Sequence, residues 1–164
     1  MQQLEEEGWG YWSVYKQIDE FEADLENKFG IPNPRRVRLI DVNKEYTIAE
    51  AKALIQIFGS HLAVLHGFSG VIRGQTLGLK KSFEEGMRIA VSQIPGAGSV
   101  TSKRGTALAA NEVLAQAKRL EISNEAIVEV IDGWVSAYTK AWETISRMIS
   151  VDQAEIGLQL NRSL

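Results

Sequence analysis

Residues 47–94 read TIAEAKALIQIFGSHLAVLHGFSGVIRGQTLGLKKSFEEGMRIAVSQI, a run without proline. Its opening, Thr47-Ile-Ala-Glu50, is a capping-box pattern: the Thr47 hydroxyl accepts the Glu50 amide while the Glu50 carboxylate reaches back. Apolar residues follow at Ala51, Ile55, Phe58, Leu62, Leu65, Ile72, Leu79, Phe83, Ala90 and Ile94, close to alternating spacings of three and four. The run predicts one continuous helix on the order of 70 Å long at 1.5 Å per residue. That is longer than a compact domain of this size is wide. The apolar stripe therefore needs cover from later helices, from another subunit, or from both.

Glycines are frequent in this run, although each one inside a helix costs about 0.5–1 kcal/mol relative to alanine. With other small residues they form rows at four-residue spacing, Gly59-Ala63-Gly67 and Gly70-Gly74-Gly78-Ser82-Gly86-Ala90. Such rows follow the ridges of a helix and let a second backbone approach closely. Gly70, Gly74 and Gly78, together with Trp134 and Trp142 further along, are the candidates for a helix-packing interface, with subunit contacts expected there.

Upstream, Tyr11, Val14, Tyr15, Ile18, Phe21, Leu25 and Phe29 share one face and predict a helix over 11–29. Gly30 is placed to cap it, and Pro32 and Pro34 stop its continuation. Trp9 and Trp12 at its entrance read as packing anchors. Residues 31–46 read as extended, with a short strand over 37–42 that serves as an arm or as an edge offered to a neighbouring subunit. Downstream of a Gly/Ser-rich turn at 95–102, a third helix is expected over 103–120, with Ala107, Ala110, Leu114, Ala117 and Leu120 on its narrow face. A fourth is expected over 125–149, capped by Ser123 or Asn124, with the stripe Ile127, Ile131, Trp134, Tyr138, Trp142, Ile145 and Met148. Ser150 would cap a short closing helix through Ile156 and Leu160. The expected fold is all-α: a long helical hairpin, its second and fourth helices antiparallel, behind an N-terminal helix and an extended arm. The division expected is 1–46 for helix and arm and 47–164 for the hairpin, the oligomerisation region.

The 164 residues suit one ordinary domain, and the hydrophobic share of 45% with 24% charged residues is that of a globular chain. The absence of cysteine excludes disulfides, thiol catalysis and Cys-based metal sites, and it fits a reducing compartment. The acidic start, Met1-Gln-Gln-Leu-Glu-Glu-Glu, is unlike a secretory signal. No stretch reads as the roughly 18 uninterrupted apolar residues of a membrane span, and Arg73, Lys80, Lys81 and Arg88 speak against one. The expected address is the cytoplasm, or a virion if the chain is a particle component.

The net charge of −3 divides into −6 over residues 1–30, +2 over 31–59, +5 over 60–119 and −4 over 120–164. A basic middle between acidic ends suits a polyanion, or neutralisation by the acidic segments of the same or a neighbouring subunit. Chemistry is harder to place. Gly96-Ala-Gly98-Ser-Val-Thr-Ser-Lys103 lacks the spacing of a phosphate-binding loop and follows a helix instead of a strand. His61 and His66, five apart, do not share a helical face well, and no acid in the flanking turns completes a ligand set. No nucleophile elbow and no Glu-x-x-His pattern occurs. A non-enzymatic protein without cofactor or metal is expected.

The stretch Val130-Ile-Asp-Gly-Trp134-Val-Ser-Ala-Tyr-Thr-Lys-Ala-Trp-Glu-Thr-Ile145-Ser-Arg-Met, behind a long basic helix and a Gly/Ser/Arg loop, resembles the recombination mediator proteins of T-even-type phages. The likeness extends over residues 50–160 in layout, with Trp134 and the pattern after it carrying the detail. The resemblance implies a ring-shaped homo-oligomer in the host cytoplasm that binds single-stranded DNA and helps load a RecA-like recombinase. It implies Lys80, Lys81, Arg88, Lys103 and Arg104 as DNA contacts. The net acidity departs from that pattern. The other expectation is a structural or adaptor component of a phage particle or packaging complex, meeting other phage proteins and no membrane.

Overall fold

The structure, a computed structural model, describes residues 9–96 and 98–162, and side chains within 14–151. Among the described residues there are four helices and no strand: α1 (Trp9–Phe29), α2 (Ile48–Ser92), α3 (Val100–Ala110) and α4 (Glu112–Arg162). The fold is all-α. The side chains of Trp9, Trp12, Ile156 and Leu160 lie outside what is described.

α1 stops where the glycine and prolines require. Gly30 takes φ +63°, and the Ile31 amide reaches back to the Leu25 carbonyl at 3.0 Å. The chain beyond is not the extended arm or strand that the apolar run 37–42 suggested. Asn33, almost fully buried, turns it. Its amide donates to Glu26 Oε1 (3.1 Å) and its Nδ2 to Glu22 Oε2 (2.9 Å), and its Oδ1 accepts the Arg35 amide (3.0 Å). Its carbonyl also accepts the amides of Arg36 and Val37. Once a side chain supplies these local partners, the backbone has no need of a strand neighbour.

α2 is one helix of 45 residues, and its glycines do not break it. The capping box forms as expected, with Glu50 amide to Thr47 Oγ1 at 3.2 Å and Thr47 amide to Glu50 Oε2 at 2.9 Å. The Thr47 amide first, and then Lys44, hold the Glu50 carboxyl below its ordinary value.

The later helices depart from expectation. α3 begins at Val100 behind a Ser99 cap, whose Oγ accepts the Ser102 amide at 3.2 Å. It ends at Ala110, not near residue 120. Asn111 leaves helical geometry (φ −127°, ψ 98°), and its Oδ1 accepts the amides of Val113 (3.1 Å) and Leu114 (3.2 Å), opening α4. α4 then runs 51 residues without interruption, so neither Ser123 nor Ser150 caps a helix. Ser123 is buried and bonds the Gln17 side chain. Ser150 bonds the Ser146 carbonyl four residues back, which lets a serine sit inside a helix.

The chain groups into two units, Met1–Phe21 with Ser69–Val130, and Glu22–Phe68 with Ile131–Leu164. Helices α1, α2 and α4 each contribute to both. The second unit buries Leu25, Ile31, Leu65, Ile131, Trp134, Tyr138 and Ile145 completely. The Tyr138 hydroxyl donates to the Pro32 carbonyl at 2.7 Å, and its ring meets Phe58 edge-on, with centroids 5.7 Å apart. Burial first, and the charge of Glu26 second, push this phenol up to about 12. In the first unit Phe83, Met87, Ala107 and Leu114 form a smaller core.

The pairings show α2 and α4 antiparallel. Phe58 meets Tyr138, and Ala51 shares a groove with Met148. In the first unit Lys80 meets Glu125, Lys118 Nζ lies 5.6 Å from the Phe83 ring centroid, and Gly86 faces Leu114. As the α2 number rises, the α4 number falls. This is the expected hairpin.

Candidate functional site

The basic residues proposed as DNA contacts divide into tied and untied groups. Lys80 pairs with Glu125 and lies 4.0 Å from Glu121, and Glu125 raises its pKa above the ordinary value, by hydrogen bond first. Arg104 pairs with Glu84 at 2.7 Å. Lys103 Nζ donates to the Ile94 carbonyl at 3.2 Å. Lys81 and Arg88 are exposed and make no ion pair among the described residues. No continuous strip of free cations results. Lys80 and Lys118 instead flank Glu121, which is buried and accepts Lys118 Nζ at 3.0 Å on Oε1, while its Oε2 is buried without a hydrogen-bond partner.

The packing candidates also divide. Trp134 is fully buried inside the second unit, its indole N–H without a hydrogen-bond partner, so it anchors the chain's own core. Trp142 is 38% exposed. Gly70, Gly74 and Gly78 are exposed, and a Cβ added at any of them would meet nothing within 4 Å, as at Gly59 and Gly67. Gly86 alone in this helix admits a close neighbour, since a Cβ there would stand 2.8 Å from Leu114 Cδ2. From Gly59 to Gly78 the glycines of these rows are thus unfilled by the described residues, whereas Gly86 and Ala90 pack against the core that includes Leu114.

These glycines belong to a larger outward face of α2, opposite the side carrying Phe58, Leu65, Thr76 and Phe83. Ile57, Val71 and Leu77 are roughly half-exposed around it. From Ala53 to Ile72 the helix carries no Asp, Glu, Lys or Arg. Contrary to the sequence expectation, α2 is long and apolar enough, by length and composition, to cross a membrane, and only 17% of that window is buried. The expectation failed because glycine, serine and histidine interrupt the run of purely apolar letters without adding charge.

Each unit has an open groove among the described residues. One in the second unit, about 660 Å³, is lined by Val42, Lys44, Tyr46, Thr144, Arg147 and Met148 among others. One in the first unit, about 520 Å³, is lined by Glu84, Glu85, Met87, Arg88, Val91, Val100 and Arg104. Neither contains a histidine. Among the described residues no group of three or more His, Asp and Glu side chains is placed to hold a metal ion.

His61 stands out in the second unit. Its ring meets Tyr138 edge-on at 5.2 Å between centroids, its Nδ1 is buried without a hydrogen-bond partner, and desolvation lowers its pKa. Because the folded state disfavours the imidazolium, the unfolded chain takes up the proton first as pH falls. The associated stability is present above the unfolded value of about 6.5 and is lost as pH drops through the lower folded value. The expected outcome is a urea midpoint that declines below about pH 6.5, and declines less in His61→Gln. An equal decline in both chains would remove His61 as the cause.

Compared with family models, with curated proteins and with solved structures, the chain matches nothing.

Proposed function

We propose that this chain is a non-enzymatic helical protein that works by associating with copies of itself through the outward face of α2, in the manner of a structural or adaptor component. The observation that carries the reading is the set of glycines at 59, 67, 70, 74 and 78, each open on the outward side of α2, the first three within a stretch that carries no charged residue. In a lone helix each would be better replaced by alanine, by about 0.5–1 kcal/mol. Their use is to let a second backbone come close. A lipid surface fits the same face less well, because glycine adds little transfer energy.

The test is particle mass by light scattering. The parent chain is expected to be a multimer. Gly74→Leu is expected to be smaller with unchanged helix content, because the added side chain keeps the partner away. Gly74→Ala is expected to raise the stability of the single copy by up to about 1 kcal/mol while weakening assembly. A parent chain of monomer mass would overturn the reading.

A second reading, single-stranded-DNA binding by a recombination accessory, is favoured by Lys81 and Arg88, which are exposed and have no acidic partner among the described residues. It predicts oligonucleotide affinity that falls steeply with salt. With Lys80 and Arg104 each held by a glutamate, the self-association reading has the stronger support.

A further inference from the structure

The connection between α1 and α2, within the second unit, carries Pro34-Arg35-Arg36-Val37-Arg38, and everything in it after the proline is exposed. The Asn33 carbonyl accepts the Arg36 amide at 2.9 Å and the Val37 amide at 3.1 Å, which winds the segment into a single turn. Glu22 and Glu26 on α1 hold Asn33 in turn, so the turn is anchored at its base. The guanidiniums are backed by carboxylates without being used up by them. Arg35 Nη1 lies 3.6 Å from Glu22 Oε1, and Arg38 Nη1 lies 3.7 Å from Asp41 Oδ1. Arg36 spans Glu22 at 3.9 Å and Glu26 at 3.6 Å. Each separation is too long for a good hydrogen bond, and Glu22 Oε1 stays buried without a hydrogen-bond partner.

The side chains of Arg35 and Arg38 remain 63% and 71% exposed. In both, the acid stands at Nη1. Their Nε and Nη2 hydrogens, the fork that grips two oxygens of one anion, meet no acceptor among the described residues. Three residues apart, the two are separated by at most about 11 Å of backbone, within reach of one anion for side chains of this length. We infer that this turn binds a single phosphate group, with Arg35 and Arg38 supplying the forks. A phosphate has oxygens enough for two forks at once, whereas a carboxylate fills only one. Glu22, Glu26 and Asp41 cancel the three arginine charges, so the patch has no surplus with which to gather a polyanion. Recognition rests instead on short, directional hydrogen bonds, and the ligand is one phosphate, free or on a lipid headgroup. The site goes beyond the self-association reading, because no residue of the outward face of α2 takes part in it.

The full chain is titrated with inorganic phosphate by calorimetry, and sedimented with phosphatidylcholine vesicles that contain or lack phosphatidic acid. Binding is expected in at least one arm, with a shallow dependence on salt. Binding of free phosphate assigns a soluble source, and capture by the phosphatidic acid vesicles alone assigns the headgroup. Arg38→Gln is expected to weaken binding about tenfold. Arg38→Lys, which keeps the charge and loses the fork, is expected to weaken it nearly as much. Arg38 meets only the exposed Asp41, so both variants are expected to keep the parent's circular dichroism and melting point. Lys16→Gln removes the same charge outside the turn and is expected to bind as the parent does. Full binding by Arg38→Lys overturns the fork, and full binding by Arg38→Gln overturns the site. Binding in neither arm overturns it as well. Capture of a thymidine oligonucleotide through the same arginines, falling steeply with salt, overturns the single-phosphate assignment and gives the turn to the second reading above.

Discussion

Trp134→Ala is expected to lower the unfolding free energy by about 3–5 kcal/mol, the range for deleting a large aromatic from a closed core. Trp134 has no exposed surface, and the residues one turn away from it on α4, Ile131 and Tyr138, are equally enclosed. The hole would be lined on several sides by side chains that the surrounding helix holds in place, so little collapse can fill it. Because its indole N–H already lacks a hydrogen-bond partner, the substitution orphans no acceptor, and the loss is a packing loss. For a fold whose whole margin is on the order of 5–15 kcal/mol, that is a large fraction. Urea unfolding followed by circular dichroism measures it. A loss under about 1 kcal/mol would mean that Trp134 is not the anchor of its unit.

Phe83→Ala is expected to be the next most damaging change, at the lower end of the same range, about 3 kcal/mol. Phe83 is 6% exposed and packs with Met87, Ala107 and Leu114, a smaller core than that around Trp134. Lys118 above the ring would lose its aromatic platform, and the flexible Met87 would move into part of the space. Hydrogen exchange separates the two variants. Phe83→Ala should raise exchange most within 69–130, and Trp134→Ala most within 22–68 and 131–151. The reverse pattern would contradict the division into two cores.

The sequence showed some of these features plainly and others not at all. Thr47 with Glu50, and Gly30 before two prolines, are local signals whose partners lie within a few residues, and both ends of the connection were legible. The pairing of α2 with α4 followed from an apolar stripe on each that needed cover. Asn111 was missed because it sits in an alanine-rich stretch that reads as helix on both sides. Only the backbone geometry shows its side-chain oxygen capping α4. Ser123 and Ser150 were misread for the opposite reason, since a serine that caps and a serine that bonds the carbonyl four residues back look alike as letters. The cations were least legible. Arg104 and Glu84 lie twenty residues apart, and no local pattern says that one neutralises the other. The outward face of α2 was read only in part, as glycine rows. Ile57, Val71 and Leu77 stand half-exposed around them but belong to no apolar stripe.

The five open glycines bear on how the protein responds to dilution. Together they withhold on the order of 4 kcal/mol of helix propensity from a solitary chain, comparable with the entire margin of a small fold. Under the association proposed above, part of that deficit is returned only when a neighbour arrives. The melting point then depends on concentration, and thinning the solution acts on the fold much as warming does.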